Sequence, residues 1–138
     1  MAYEARVTLR SLEEGLRFDG EVAGFTVPLD TGPGAVAPSP VQILLVSIAG
    51  CTAMDVIEIL RKKRLRVTAY EVSVSGERRD EHPRVFKSLE IRHRVTGEGI
   101  PPAAVAEAAR LSDTKYCAVH AMIGASVPLT TVIEVLPA

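Results

Sequence analysis

One long apolar stretch constrains the fold of this chain more than any other feature: residues 39–64, with the sequence SPVQILLVSIAGCTAMDVIEILRKKR. Pro40 suits the first turn of a helix, and Ser39 suits its N-cap. Four basic residues, from Arg61 to Arg64, lie at the far end, where positive charge is favourable to the helix dipole. The pattern predicts one long helix over residues 40–64, with Cys51 near its middle.

The apolar residues of this helix go nearly all the way round it rather than along one stripe. A helix that is apolar on every side is buried on most sides. A membrane-spanning helix needs about 20 apolar residues with few polar interruptions, whereas Asp55 and Glu58 interrupt this one. We therefore expect the buried central helix of a soluble protein, with no membrane partner.

Alternating apolar and polar residues predict strands on both sides of the helix. Residues 1–30 form a predicted meander, which begins with a half-buried strand from Tyr3 to Leu9. A hairpin is expected over residues 67–95, and two helices and a last strand over residues 102–136. Strands grouped in blocks indicate an α+β fold with antiparallel sheets, and 138 residues indicate a single domain over residues 1–138.

The composition excludes several classes of function. The net charge is −1 and there is no tryptophan, which argues against a nucleic-acid partner. The first ten residues alternate and carry charge, unlike a signal peptide, so we expect a cytoplasmic protein. Two distant cysteines in such a protein are expected to be thiols rather than a structural disulfide.

Cys51 has two interpretations. Free cysteine is among the most buried residue types, so it could simply fill the core. It could also lie at a cleft, because Gly50 and the small residues around it let another element approach the helix closely. Asp55 is four residues further on the same helical face and would disfavour a thiolate. A reactive Cys51 therefore needs a nearby cation, preferably an arginine.

Cys117 follows Tyr116 at the predicted start of a short helix, where a thiolate would be stabilised. If the fold brings both cysteines together, one thiolate could attack a peroxide and the other could close a disulfide with the resulting sulfenic acid. Cys117 and His120 have a spacing seen among metal ligands, and Cys51, Asp55 or His93 could complete a set, but one such pair is a weak metal motif. No metal site is expected.

Three segments together resemble the OsmC/Ohr family of thiol-dependent peroxidases, most closely its YhfA-like branch. They are SPVQILLVSIAGCTAMDV, ERRDEHPRVF and DTKYCAVH. The resemblance covers nearly the whole chain and includes the order of elements. It implies an OsmC-like fold: an intertwined homodimer in which antiparallel sheets wrap around long central helices.

The resemblance also implies a chemistry. Cys51 would be the peroxidatic cysteine and Cys117 the resolving one. The substrates would be organic hydroperoxides, and a dithiol such as a lipoyl group would be the electron donor. No tightly bound cofactor is expected.

The chain departs from the peroxidase branches of the family at two positions. Phe18 stands where those branches have an arginine, and Val41 stands where they have a glutamate; that Arg–Glu pair activates the cysteine and holds the peroxide. Arg79 is the first candidate for a replacement cation and Arg17 the second, although Arg17 is one residue off and a one-residue shift in a strand reverses the face.

Three hypotheses remain open on the sequence alone. The leading one is a thiol peroxidase for oxidative-stress defence, with Cys51 and Cys117 as its catalytic pair. The absence of the Arg–Glu pair motivates the second, a non-enzymatic protein that binds a small hydrophobic ligand or senses oxidants stoichiometrically. The third is a pair of buried structural thiols, which clean separation of the two sulfurs would favour.

Overall fold

The computed structural model describes residues 2–138, in six strands and three α-helices. The strands are β1 (Ala5–Ser11), β2 (Arg17–Val22), β3 (Phe25–Leu29), β4 (Val67–Ser75), β5 (Leu89–Gly97) and β6 (Leu129–Leu136). The helices are α1 (Pro40–Lys62), α2 (Pro102–Leu111) and α3 (Ala118–Gly124), and a π-helical turn (Ser112–Tyr116) lies between the last two. The chain divides into two compact units, with the boundary between Leu44 and Leu45 inside α1.

The first unit contains an antiparallel meander of strand order β1-β2-β3. Strands β2 and β3 are joined by the two residues Ala23 and Gly24, both with positive φ, between the paired residues Val22 and Phe25. Positive φ at both central positions is typical of the tight hairpin turn that matches the twist of the strands. The three predicted N-terminal strands are thus present.

Strand β1 differs from its prediction in one respect. Its alternation predicted a half-buried strand, but six of its seven residues are exposed in the single chain, and Val7 is 59% exposed. The alternation therefore reports a face that this chain alone leaves uncovered.

Both ends of α1 follow from local sequence. Ser39 Oγ accepts a hydrogen bond from the Gln42 backbone N–H at 3.2 Å, and the Gln42 side chain accepts one from the Ser39 N–H at 2.9 Å. This reciprocal pair is a capping box. At the other end Arg64 has φ +58° and the Leu65 N–H donates to the Leu60 carbonyl at 3.2 Å, the pattern of a left-handed C-terminal cap. The helix consequently ends at Lys62 rather than at the predicted residue 64.

In the single chain α1 is buried along one side only, and its predicted burial on most sides stays a prediction. Its fully buried residues recur every fourth position, at Ile48, Thr52, Val56 and Leu60, whereas Val46 is 65% and Met54 is 74% exposed on other faces. Helix α1 is long and apolar enough to cross a membrane, but this is weak evidence for a membrane-spanning helix, because core helices of soluble proteins meet the same criterion.

The second unit contains a three-stranded sheet of order β4-β5-β6. Strands β4 and β5 pair antiparallel, but β5 and β6 pair parallel, from Leu89 with Leu129 to Thr96 with Leu136. The prediction of purely antiparallel sheets is therefore corrected. A parallel pair needs a long crossover connection, and here α2, the π-helical turn and α3 supply it.

The hydrophobic core of this unit lies between α1, α2 and the sheet. Its buried members are Val56, Leu60, Val95, Ile100, Val105, Ala108 and Ala109. Central strand β5 alternates strictly, with Leu89, Ile91, His93, Val95 and Gly97 all buried. His93 is thus a polar residue among the apolar side chains on the core-facing side of β5.

Candidate functional site

The two cysteines come together in the second unit. Cys51 is half-buried in α1 and Cys117 is buried, and both are free thiols. Cys51 Sγ, Cys117 Sγ and a carboxylate oxygen of Asp55 all lie within 4.8 Å of one another. The clean separation of the two sulfurs that would have favoured the third hypothesis, a pair of buried structural thiols, is therefore not found.

The π-helical turn places Cys117 in this position. The Cys117 N–H donates to the Ser112 carbonyl, five residues back, at 2.8 Å. Cys117 itself is extended, with φ −78° and ψ 104°, and it caps α3, where its sulfur accepts a hydrogen bond from the His120 N–H at 3.3 Å. Short π-helical segments are frequent at functional sites.

The electrostatic environment of Cys117 differs from the one predicted at a helix start. Burial raises the pKa of the Cys117 thiol to about 11, and its hydrogen bond with Cys51 and the charge of Asp55 also raise it. The hydrogen bond from the His120 backbone lowers the pKa, as predicted for a helix N-terminus, but it is outweighed. Cys117 is therefore a protonated thiol at neutral pH.

A buried hydroxyl pair fixes Asp55. Ser112 Oγ donates to Asp55 Oδ2 at 3.0 Å, and Thr52 Oγ1 lies 2.8 Å from Ser112 Oγ. A serine hydroxyl has one hydrogen, and the bond to Asp55 uses it, so Thr52 donates to Ser112. Both hydroxyl residues have no solvent exposure. Ser112 thereby holds the Asp55 carboxylate with its side chain and Cys117 with its backbone.

Tyr70 and His93 form a second hydrogen-bonded pair. Tyr70 Oη and His93 Nδ1 are 2.6 Å apart, and burial together with the Asp55 charge raises the pKa of Tyr70. Burial lowers the pKa of His93, although Asp113 opposes this. Asp113 in turn accepts a hydrogen bond from Thr131. Tyr70 therefore keeps its proton and His93 stays neutral near pH 7, and the Tyr70 hydroxyl lies close enough to Asp55 to respond to its charge.

Sequence reasoning missed most of these neighbours. Ser112, Thr52 and Tyr70 were not singled out, and His93 was considered only as a possible metal ligand. One signal was available for His93: it occupies an apolar position of an alternating strand, between Ile91 and Val95. Ser112 gave no such signal, because its role depends on a π-helical turn.

The two candidate arginines make other contacts. Arg79 pairs with Glu81 at 3.9 Å in the loop after β4 and is 55% exposed at its side chain. Arg17, in the first unit, pairs with Asp30 at 3.5 Å and with Glu14 at 3.3 Å. Their proposed action on the thiol site remains a prediction.

The donor atoms at the site do not lead us to assign a metal. Cys51, Asp55 and Cys117 offer two sulfurs and one oxygen, whereas structural zinc sites use four protein ligands. His120 uses its backbone on Cys117, and its Nε2 lies 3.5 Å from Asp113 Oδ1. The expectation of no metal stays a prediction.

Comparison with known proteins then decides the family. The family model described as OsmC-like protein matches residues 32–132, which is more than half of the chain. The chain belongs to the OsmC-like family. The resemblance seen in the sequence is thereby confirmed, and so is the OsmC-like α+β fold.

Several relatives show how close the OsmC-like chain lies to known proteins. It is 43% identical to Protein YhfA of Escherichia coli strain K12 over 126 residues, which cover 91% of this chain and 94% of that one. A crystal structure of a hypothetical protein from Aquifex aeolicus VF5 is 30% identical with a TM-score of 0.87, covering 100% of this chain and 98% of that one.

A more distant structure extends the fold likeness. The Organic Hydroperoxide Resistance Protein OhrB of Bacillus subtilis matches with a TM-score of 0.70 and 12% identity, over 95% of this chain and 98% of that one. At this identity the match supports only the OsmC-like fold.

The unequal environments of the two thiols predict an order of alkylation. At about pH 8 the reduced protein should react with iodoacetamide at half-buried Cys51 first, because the thiolate is the nucleophile and Cys117 is both buried and protonated. Modification of Cys117 should start slow and rise about tenfold per pH unit until the pH reaches about 11. Peptide mass spectrometry of samples quenched over time measures both rates, and faster labelling of Cys117 at pH 8 would contradict the assignment.

Proposed function

We propose that this OsmC-like protein is a thiol peroxidase that reduces organic hydroperoxides and serves in defence against oxidative stress. The observation that carries the proposal is the meeting of Cys51 and Cys117 sulfurs within 4.8 Å. Two thiols at this distance can close a disulfide after a small shift, since a disulfide bond is about 2.05 Å long.

The proposed cycle has three steps. The Cys51 thiol gives up its proton, the thiolate attacks the peroxide oxygen, and the O–O bond breaks, so that Cys51 becomes a sulfenic acid and the leaving alkoxide takes up one proton to form the alcohol. Cys117 then forms the disulfide with Cys51 and water leaves. A dithiol donor, such as a lipoyl group, reduces the disulfide and restores both thiols.

The surroundings of the two cysteines support the proposed roles. Cys51 is the more accessible, so a hydroperoxide can reach it. Cys117 is buried and its pKa is raised to about 11, which makes it a poor first nucleophile. It is nevertheless well placed to attack a sulfenic acid on its neighbour.

A cation for the Cys51 thiolate belongs to the proposal. Arg79 is the first candidate and Arg17 the second. The alkylation measurement tests them, because the variant that loses Cys51 reactivity at neutral pH, Arg79→Ala or Arg17→Ala, identifies the cation. Equal Cys51 reactivity in both variants and the wild type would remove both candidates.

We also propose a homodimer in the cytoplasm as the working form. The support is the face of α1 that carries Val46 and Met54, both largely exposed in the single chain. Large exposed apolar faces mark interaction surfaces, and proteins of the OsmC/Ohr family are typically homodimers.

The alternative function is a stoichiometric thiol sensor or a module that binds a small hydrophobic ligand. The observation that favours it is that Arg79 and Arg17 are each paired with a carboxylate, while the group beside the thiols is the carboxylate of Asp55. A site without a cation activates a thiolate poorly.

Turnover separates these functions. The reduced protein is mixed with an alkyl hydroperoxide and either a dihydrolipoyl or a thioredoxin-type donor, and peroxide loss is followed per chain. The proposal predicts many peroxides consumed per chain with the dihydrolipoyl donor. Consumption that stops at one peroxide per site with both donors would contradict a catalytic cycle and support the sensor.

A further inference from the structure

The sulfenic acid step leaves one chemical need that neither cysteine meets. Disulfide formation requires Cys117 to lose a proton and the hydroxyl group on Cys51 to gain one before it leaves as water. Burial is the largest cause that raises the pKa of the Cys117 thiol above its usual range, and it persists when Cys51 is a sulfenic acid, so few Cys117 thiolates exist at neutral pH. A hydroxide ion is also a poor leaving group. A nearby group that moves one proton would solve both problems.

Asp55 is in the position that this proton transfer requires. It lies one helical turn after Cys51, and its carboxylate oxygen is within 4.8 Å of both sulfurs. Proton transfer operates at hydrogen-bond distance or through one water, and 4.8 Å is within the span of one water.

The surroundings of Asp55 hold its carboxylate in a fixed position and leave acceptor positions free. Ser112 Oγ donates to Asp55 Oδ2, and Thr52 donates to Ser112, so the chain of hydroxyl hydrogens points towards the carboxylate. An ionised carboxylate has about four acceptor positions, and Ser112 uses one. The Ser112 backbone carbonyl accepts a hydrogen bond from the Cys117 N–H at 2.8 Å. Ser112 therefore contacts both the proposed proton donor, Cys117, and the proposed acceptor, Asp55.

We propose that Asp55 is the proton-transfer group of the resolving step: it takes the proton of the Cys117 thiol and gives it to the hydroxyl oxygen that leaves Cys51. The S–S bond forms as the S–O bond breaks, and the products are the disulfide and one water, with no further reactant. Ser112 is a positioning residue for this transfer. The proposal rests on the proposed function and deepens it.

Other titratable groups face this site and need to be separated from Asp55. Tyr70 and His93 come from the sheet, and Asp113 and His120 come from the π-helical turn and α3. The pKa of Tyr70 is raised and that of His93 is lowered. Between about pH 7 and 9 Tyr70 therefore remains protonated and His93 remains neutral, so neither produces a pH dependence in that range.

The first experiment follows the resolving step in a single turnover. Reduced protein is mixed with one equivalent of an alkyl hydroperoxide, and sulfenic acid and disulfide are quantified at successive times by dimedone trapping and mass spectrometry. Asp55→Asn should slow disulfide formation about a hundredfold or more near pH 7, with the sulfenic acid trapped on Cys51.

The pH profile distinguishes chemistry from a structural effect. The wild-type rate should change little between about pH 7 and 9, whereas the Asp55→Asn rate should rise about tenfold per pH unit as Cys117 thiolate forms. Ser112→Ala should lose about tenfold but keep the flat profile, because the carboxylate is still present. Glu58→Gln is the matched control, since this carboxylate lies on the same helix and pairs with Arg61, and it should resolve at the wild-type rate.

A second experiment does not depend on peroxide. A thionitrobenzoate mixed disulfide is placed on Cys51, and attack by Cys117 releases the coloured thiolate. Asp55→Asn should slow this release about a hundredfold near pH 7. If the wild type ignores peroxides but the release still depends on Asp55, the proposed peroxidase function fails while Asp55 remains the group that deprotonates Cys117.

The opposite results would overturn the proposal. Asp55 is one of the causes that raise the Cys117 pKa, so a purely electrostatic Asp55 would give faster resolution in Asp55→Asn. An equal or faster rate of disulfide formation and thionitrobenzoate release in Asp55→Asn, or an equal loss in Glu58→Gln, would exclude proton transfer by Asp55.

Discussion

Replacing Cys51 by serine is expected to abolish reduction of alkyl hydroperoxides, with a loss of about a thousandfold or more, as when an enzyme loses its nucleophile. A serine hydroxyl does not ionise near neutral pH and cannot form a sulfenic acid. The measurement is the initial rate of peroxide loss with the dihydrolipoyl donor, compared with the wild type. Full turnover by Cys51→Ser would refute Cys51 as the attacking residue.

Cys117→Ser is the matched variant for this experiment. It keeps Cys51 and removes only the group that closes the disulfide, so it should consume one peroxide per chain and stop at the sulfenic acid. Trapping of that sulfenic acid with dimedone on Cys51 distinguishes the two variants. An adduct on Cys117 in Cys51→Ser, formed at the rate of the wild-type reaction, would reverse the two roles.

Replacing Val46 by aspartate is expected to separate the proposed homodimer into monomers. Val46 is 65% exposed on α1 in the single chain, and an unpaired charge buried in an apolar interface costs several kcal/mol. The dissociation constant should rise at least about a hundredfold, which corresponds to about 2.7 kcal/mol. Sedimentation velocity over a dilution series measures the change.

Val85→Asp is the control for this substitution. Val85 is also exposed, at 45%, but it lies in the loop before β5 and not on α1. This variant should sediment like the wild type. A wild-type protein that is monomeric at micromolar concentration, or an unchanged dimer in Val46→Asp, would contradict the proposed interface.

Much of the fold could be predicted because it follows from local sequence. The capping residues Ser39 and Gln42 determine where α1 starts, and alternation locates the strands. The parallel pairing of β5 with β6 could not be predicted in this way. The direction of β6 depends on how the crossover connection returns the chain to the sheet. Alternating apolar and polar residues look the same in a parallel and an antiparallel strand.

Burial was the property that a single sequence described least well. Apolar residues all round α1 predicted burial on most sides, but only every fourth residue is buried in the single chain. The apolar pattern indicates which residues are buried in the working form of the protein, and in the proposed homodimer that form includes a second copy of the chain.

The sequence indicated which residues to consider at the site but not their electrostatics. The spacing along α1 placed Asp55 one turn after Cys51, whereas the pairing of Cys51 with Cys117 was implied only by the resemblance to the OsmC/Ohr family. The raised pKa of Cys117 could not be predicted, since it results from burial and from neighbours that the fold supplies. The same holds for the hydroxyl pair of Thr52 and Ser112, whose positions are 60 residues apart.

The π-helical turn makes the number of residues between Ser112 and Cys117 as important as their identity. Each residue of an α-helix turns its successor by about 100° around the axis, so inserting or deleting one residue here would carry the Cys117 sulfur to another side. The hydrogen bond from the Cys117 N–H to the Ser112 carbonyl spans five residues, one more than in an α-helix, so the turn accommodates one additional residue between α2 and α3. The number of residues in this short segment therefore determines how far the Cys117 sulfur lies from the Cys51 sulfur.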